Sequence, residues 1–126
     1  MNDPLTGKII AAAYEVYNTL GFGYLEKVYE NSMVIELRKQ GLAAAQQSPL
    51  TVFYNEQIVG DFYADLVVDN RVIVELKSVT RIAPEHETQL VNYLAATKQD
   101  VGLLINFGHE GVEVKRKYRI YRPKGS

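Results

Sequence analysis

Three features of this sequence predict an α/β fold, a sandwich of helices around a mixed sheet. Two N-terminal stretches repeat apolar residues every three to four positions. Three later stretches alternate as strands do. A third helical stretch then separates these from two final strands. The order helix, helix, three strands, helix, strand, strand suits helices packed on a sheet with both parallel and antiparallel pairs. At 126 residues, one domain spanning 1–126 is expected, large enough to bury about two-thirds of the surface its unfolded form exposes.

Each element has its own signal. Asp3-Pro4 reads as an N-cap followed by proline at the first helical position. Ile9, Ile10, Ala13, Val16, Tyr17 and Leu20 follow at helical spacing, and Gly21 suits the stop. After the Gly21-Phe22-Gly23 loop a second helix is predicted to run to about Gln40, with Leu25, Tyr29, Met33 and Leu37 as its stripe and Gly41 ending it. Tyr24 and Tyr29 are both expected in the core. Leu50 to Tyr54 predicts a strand, Asn55-Glu56 a turn, and Gln57 to Val68 and Arg71 to Lys77 two longer strands. Pro84 opens a third helix to about Lys98. Val101 to Asn106 is a short buried strand, Gly108 turns the chain, and Val112 to Tyr121 alternates as the last strand.

Composition narrows the chemistry. Hydrophobic residues make up 47% and charged residues 23%, an ordinary globular balance. There is no cysteine, which excludes disulfides, thiolate metal sites and a thiol nucleophile. Two histidines, His86 and His109, are too few for a histidine-rich zinc site. No apolar run reaches the roughly 18 residues of a membrane span, and Met1-Asn2-Asp3-Pro4 lacks the start of a signal peptide, so a cytoplasmic protein is expected. The net charge of −1 lends no overall support to nucleic-acid binding. Lys115, Arg116, Lys117, Arg119, Arg122 and Lys124 nevertheless crowd the C-terminal tail. That pattern suits either an edge strand guarded against aggregation or a phosphate contact.

The hairpin near Asp69-Asn70 can be tested by parity, because side chains alternate faces along a strand. A two-residue loop would mix Phe62, Ala64, Leu66 and Val68 with Arg71, Glu75 and Lys77 on one face. A three-residue loop, Asp69 to Arg71, pairs Val68 with Val72. It gives one wholly apolar face of Phe62, Ala64, Leu66, Val68, Val72, Val74 and Leu76. Burying unpaired charge is the costlier choice, so the odd loop is predicted. Asp65 then falls opposite Glu75, and Tyr63 opposite Lys77. Two carboxylates about 5 Å apart repel unless something positive lies between them, and a divalent cation with oxygen ligands is one solution. Lys77 lies on the same side and could hold a water or neutralise a phosphate. A solvated ion-paired trio, Asp65–Lys77–Glu75, is the alternative.

Asp65, nine intervening residues and Glu75-Leu76-Lys77 resemble the signature of PD-(D/E)XK nucleases. Gly23-Tyr24-Leu25-Glu26-Lys27-Val28-Tyr29 spells G-x-x-E-x-x-Y, and Gln89-Leu90-Val91-Asn92-Tyr93 spells Q-x-x-x-Y, as on the helix after the active-site strands of RecB-like exonucleases. The chain therefore resembles the GxxExxY group of small PD-(D/E)XK nuclease-like proteins over about residues 5 to 107. Ala64 stands where the formal signature has proline. The resemblance implies a restriction-endonuclease-like fold and hydrolysis of DNA or RNA phosphodiesters with Mg²⁺ or Mn²⁺. It implies Asp65, Glu75 and Glu26 as metal ligands, Lys77 as catalytic lysine, and Gln89 and Tyr93 as substrate-positioning residues. The readings without chemistry are a helix-start glutamate for Glu26 and a packed i, i+4 pair for Gln89 and Tyr93; His86, one turn before Gln89, suits a phosphate contact or a helix-capping or solvated histidine. Gly21 and Gly23 follow no strand and make no nucleotide loop. The small size leaves no separate gripping domain, which favours a homodimer or a partner protein. A non-catalytic nucleic-acid or protein interaction module on the same fold is the rival function.

Overall fold

The computed structural model describes residues 3–119. Helices α1 (Pro4–Leu20) and α2 (Glu26–Lys39) precede strands β1 (Ala44–Tyr54), β2 (Gln57–Val68) and β3 (Val72–Lys77). Helix α3 (Pro84–Thr97) crosses to β4 (Val101–Gly108), and β5 (Gly111–Tyr118) closes the sheet. The five strands lie in the order β1-β2-β3-β4-β5. β3 and β4 are parallel, as a helical crossover allows, and the other neighbours are antiparallel. Arg122, Lys124 and the expected end of the last strand at Tyr121 lie outside the described residues.

The helix ends follow from local chemistry. The Asp3 carboxylate accepts the Leu5 N–H at 2.9 Å, Pro4 begins the helix, and Gly21 ends it at φ 72°. In α2, Tyr29, Met33 and Leu37 are buried as the stripe predicts, but Leu25 is the N-cap and 80% exposed. It precedes the first helical turn, so the helix never turns it inward. Tyr24 is also exposed, against expectation. The His86 Nδ1 accepts the Ala83 N–H at 3.1 Å, so this histidine caps α3.

Two cores flank the sheet. Ile9, Ala13, Val16, Tyr29, Met33 and Leu37 of α1 and α2 pack on Leu66, Val68, Val74, Leu76, Leu103 and Phe107. On the opposite side Leu90, Tyr93 and Leu94 of α3 pack on Leu50, Ala64, Ile73 and Leu104. Gly102 lets α3 come close, because a Cβ there would meet Leu90 Cδ1 at 2.9 Å and the Ile73 carbonyl at 3.2 Å.

The three-residue loop is observed: Val68 pairs with Val72, Val67 with Ile73 and Leu66 with Val74. The apolar face it predicts is correct from Leu66 onward and fails before it. Ala64 lies in the α3 core, and Phe62 meets the Tyr93 ring at 5.5 Å. The pairing of β2 with β3 ends at Leu66, so Tyr63 pairs with Pro49 on β1 and not with Lys77. Beyond this fork β1 and β2 continue as a two-stranded arm. Both strands change face where Gln47, at φ 49°, lies across from Asp65. β1 also starts six residues earlier than predicted. The segment Ala44 to Pro49 lacks β-formers but finds a partner in β2.

Candidate active site

The fork between β2 and β3 creates the site. Where β2 leaves β3, the Leu76 N–H loses its strand partner, and the Asp65 Oδ2 accepts it at 2.8 Å. This places the Asp65 carboxyl beside Glu75, to which it is hydrogen-bonded. Glu75 is half-buried. Its burial, the neighbouring Asp65 charge and that hydrogen bond push its pKa up to about 9, against a smaller lowering by Lys77. The pair is therefore short of positive charge at neutral pH.

Lys77 lies two residues on, level with Asn106 of β4. It is close enough to lower Glu75, yet among the described residues it closes no ion pair within 4 Å. The ion-paired trio is thus not observed. Past Lys77 the chain is pinned by the buried Asn106 side chain, which bonds the Val79 N–H and C=O at 2.9 Å each. The Glu113 Oε1 accepts the Ile82 N–H at 3.0 Å, which fixes the approach to α3.

Tyr93 faces the carboxylates from α3: burial first, then the charges of Glu75 and Asp65, raise its pKa. It also lines a groove of about 590 Å³ between the arm and α3, with Val52, Phe62, Gln89, Asn92 and Ala96. Gln89 is exposed in this groove and makes no hydrogen bond to the carboxylate pair.

Glu26 does not join them. It is exposed at the first turn of α2, and no three acidic or histidine side chains group closely enough to hold a metal among the described residues. The reason is axial. The α2 carboxylate that approaches the sheet is Glu30, one turn or about 6 Å further along. Glu30 is buried, and its Oε1 accepts from Gln47 Nε2 at 2.9 Å, the same nitrogen that lies 3.4 Å from Asp65 Oδ1. Sequence reasoning passed over Glu30, although its spacing from Met33 and Leu37 sets it on the buried stripe. Tyr29 of the G-x-x-E-x-x-Y stretch has a structural task. Its hydroxyl donates to the Gly21 carbonyl at 2.6 Å and accepts from the Tyr24 N–H at 3.3 Å, and its ring stacks on Phe107.

Asp65 and Glu75 offer hard oxygen donors with an unmet need for positive charge. That fits Mg²⁺ or Mn²⁺, which take one or two carboxylates and complete their shell with water or phosphate.

A family model described as PD-(D/E)XK nuclease superfamily matches residues 3–117. The crystal structure of SSO0001 is similar in fold, with a TM-score of 0.57 at 13% identity, over 76% of this chain and 50% of that one. This chain thus spans about half the length of that structure. An alkaline exonuclease from Laribacter hongkongensis aligns at a TM-score of 0.49 and 11% identity, over 91% of this chain and 82% of that one. No curated protein matches the sequence.

Proposed function

The chain belongs to the PD-(D/E)XK nuclease superfamily, and from that premise we propose that it is a metal-dependent nuclease of the GxxExxY group, on the RecB-like branch, acting on DNA or RNA as a single domain in the cytoplasm. The observation that carries the reading is the hydrogen-bonded pair of Asp65 and Glu75, with the Lys77 ammonium beside it and, among the described residues, in no ion pair within 4 Å. Asp65 and Glu75 would hold Mg²⁺ or Mn²⁺. When bound, that ion supplies Lewis-acid polarisation of the scissile phosphate and a lowered pKa for the attacking water. Lys77 orients the water and donates to the phosphate oxygen on which charge develops. Tyr93 and Gln89 seat the substrate along the groove. Water adds to phosphorus, the P–O bond to the leaving nucleotide breaks, and the leaving oxygen takes up a proton.

The test is incubation of the purified protein with single- and double-stranded DNA and RNA, in Mg²⁺, in Mn²⁺ and in chelator. Cleavage of at least one substrate, abolished by chelator, is expected. No cleavage of any of the four overturns the reading. One observation favours the rival, an interaction module: the outer arm leaves Phe53, Tyr54, Ile58, Val59 and Tyr63 exposed among the described residues. That rival requires absence of cleavage in the same experiment.

A further inference from the structure

We propose that Gln47 is a positioning residue for the Asp65 carboxylate and that Glu30 acts through it; this rests on the nuclease reading above. Consecutive side chains of a strand point to opposite faces. Gln46 and Gln47 break this rule, since both amides reach the same carboxylate. The Gln46 Nε2 lies 2.7 Å from Glu30 Oε2, and the Gln47 Nε2 lies 2.9 Å from Glu30 Oε1. The left-handed backbone of Gln47, φ 49° in a non-glycine strand residue, accompanies that departure. Such strained conformations persist where the surroundings over-determine them, commonly at functional sites.

The surroundings here are polar and converge on the candidate site. Glu30 is held by Lys27 Nζ at 2.9 Å, and its side chain is 5% exposed. A buried carboxylate thus grips the Gln47 amide. The second hydrogen of that amide serves Asp65 Oδ1 at 3.4 Å, while Leu76 N–H holds Oδ2 at 2.8 Å. With a short donor on Oδ2 and a longer one on Oδ1 the carboxylate is restrained in rotation, and once the Glu75 proton leaves each oxygen keeps a lone pair for a cation. Donors of this kind behind a metal ligand typically change metal affinity 10- to 100-fold when removed.

The experiment is Mn²⁺ calorimetry on the full chain, at a temperature where thermal melts show every variant folded. Gln47→Met keeps the length and removes the amide. Gln47→Gly removes the amide and also the backbone strain. Each variant is expected to bind Mn²⁺ about 10- to 100-fold more weakly than wild type. Loss in both assigns the effect to the amide. Wild-type affinity in both overturns the proposal and leaves the metal site standing, and wild-type affinity in Gln47→Gly alone overturns it in favour of the backbone. Adding Glu30→Ala to Gln47→Gly should bring no further loss, whereas an additive loss contradicts action through Gln47. A wild-type protein that binds no Mn²⁺ fails the metal-site reading itself, and the proposal with it.

Discussion

Glu75 is where the sequence and its environment pull hardest against each other. A carboxyl that is ordinarily ionised above pH 4.5 is held protonated up to about 9. The folded chain therefore binds this proton more tightly than the unfolded chain does. The associated stability is fully present below pH 4.5 and is lost as pH rises through about 9. Its slope reaches about 1.4 kcal/mol per pH unit. Urea unfolding of the metal-free protein across this window should show that decline, and Glu75→Gln should flatten it. An unchanged slope in Glu75→Gln would contradict the assignment. The same proton must leave when a cation binds, so Mn²⁺ affinity should rise about tenfold per pH unit between about pH 6 and 8. Calorimetry in buffers of different ionisation enthalpy should count close to one proton released. Asp65→Ala and Glu75→Ala should each abolish Mn²⁺ binding, with Asp65→Ala also relieving the repulsion that raises Glu75.

At the scale of elements, α2 and the β1–β2 arm hold most of what differs from expectation. Tyr29 joins the α1–α2 loop to the core through its hydroxyl, with Gly21 at φ 72° and Gly23 at φ 112° supplying backbone conformations that a side chain would strain. Tyr29→Phe should cost about 0.5–1.5 kcal/mol, and more if the Gly21 carbonyl finds no water. It should leave cleavage unchanged at temperatures where the variant is folded; a loss of activity without loss of stability would give Tyr29 a chemical task. The parity of the β2–β3 loop was legible because burying Glu75 and Lys77 in an apolar face is costly. The fork beyond the third pair from that loop was not. Alternation continues unbroken through Tyr63-Ala64-Asp65-Leu66, so no pattern marks the place where the strand leaves its neighbour and changes face. Glu30 was legible from its spacing to Met33 and Leu37, one turn beyond Glu26, the residue that matches the family pattern. Gln47 had no signal, since a left-handed glutamine within a strand is fixed only by tertiary partners.

For the whole molecule, element order and the mixed sheet followed from periodicity, because long apolar patterns resist local exceptions. Charge was less readable. The basic run of β5 has a net appearance of a phosphate-binding strip, yet Lys117 pairs with Glu87 at 2.6 Å and Arg119 with Asp100 at 2.8 Å. The Lys117 bond also lowers the pKa of Glu87. These pairs tie the edge strand to α3 and to the turn before β4. They favour the structural reading of Lys117 and Arg119 over the phosphate one. No helix among the described residues is long and apolar enough to cross a membrane. The groove beside Tyr93 is lined by Val52, Phe62, Pro84, Glu85, Thr88, Gln89, Asn92 and Ala96, with no lysine or arginine among them.

Hydrolysis of phosphodiesters at the Asp65–Glu75–Lys77 fork is the proposed activity. It is tested most directly by Mn²⁺-dependent cleavage with wild type and Lys77→Ala purified in parallel at fixed ionic strength, because phosphate binding is salt-dependent. Lys77 ends β3 and supports no core contact, so its removal should leave the fold and Mn²⁺ binding intact. Cleavage by Lys77→Ala is expected to be slower by about 10² to 10³. Cleavage by Lys77→Ala at the wild-type rate would contradict it.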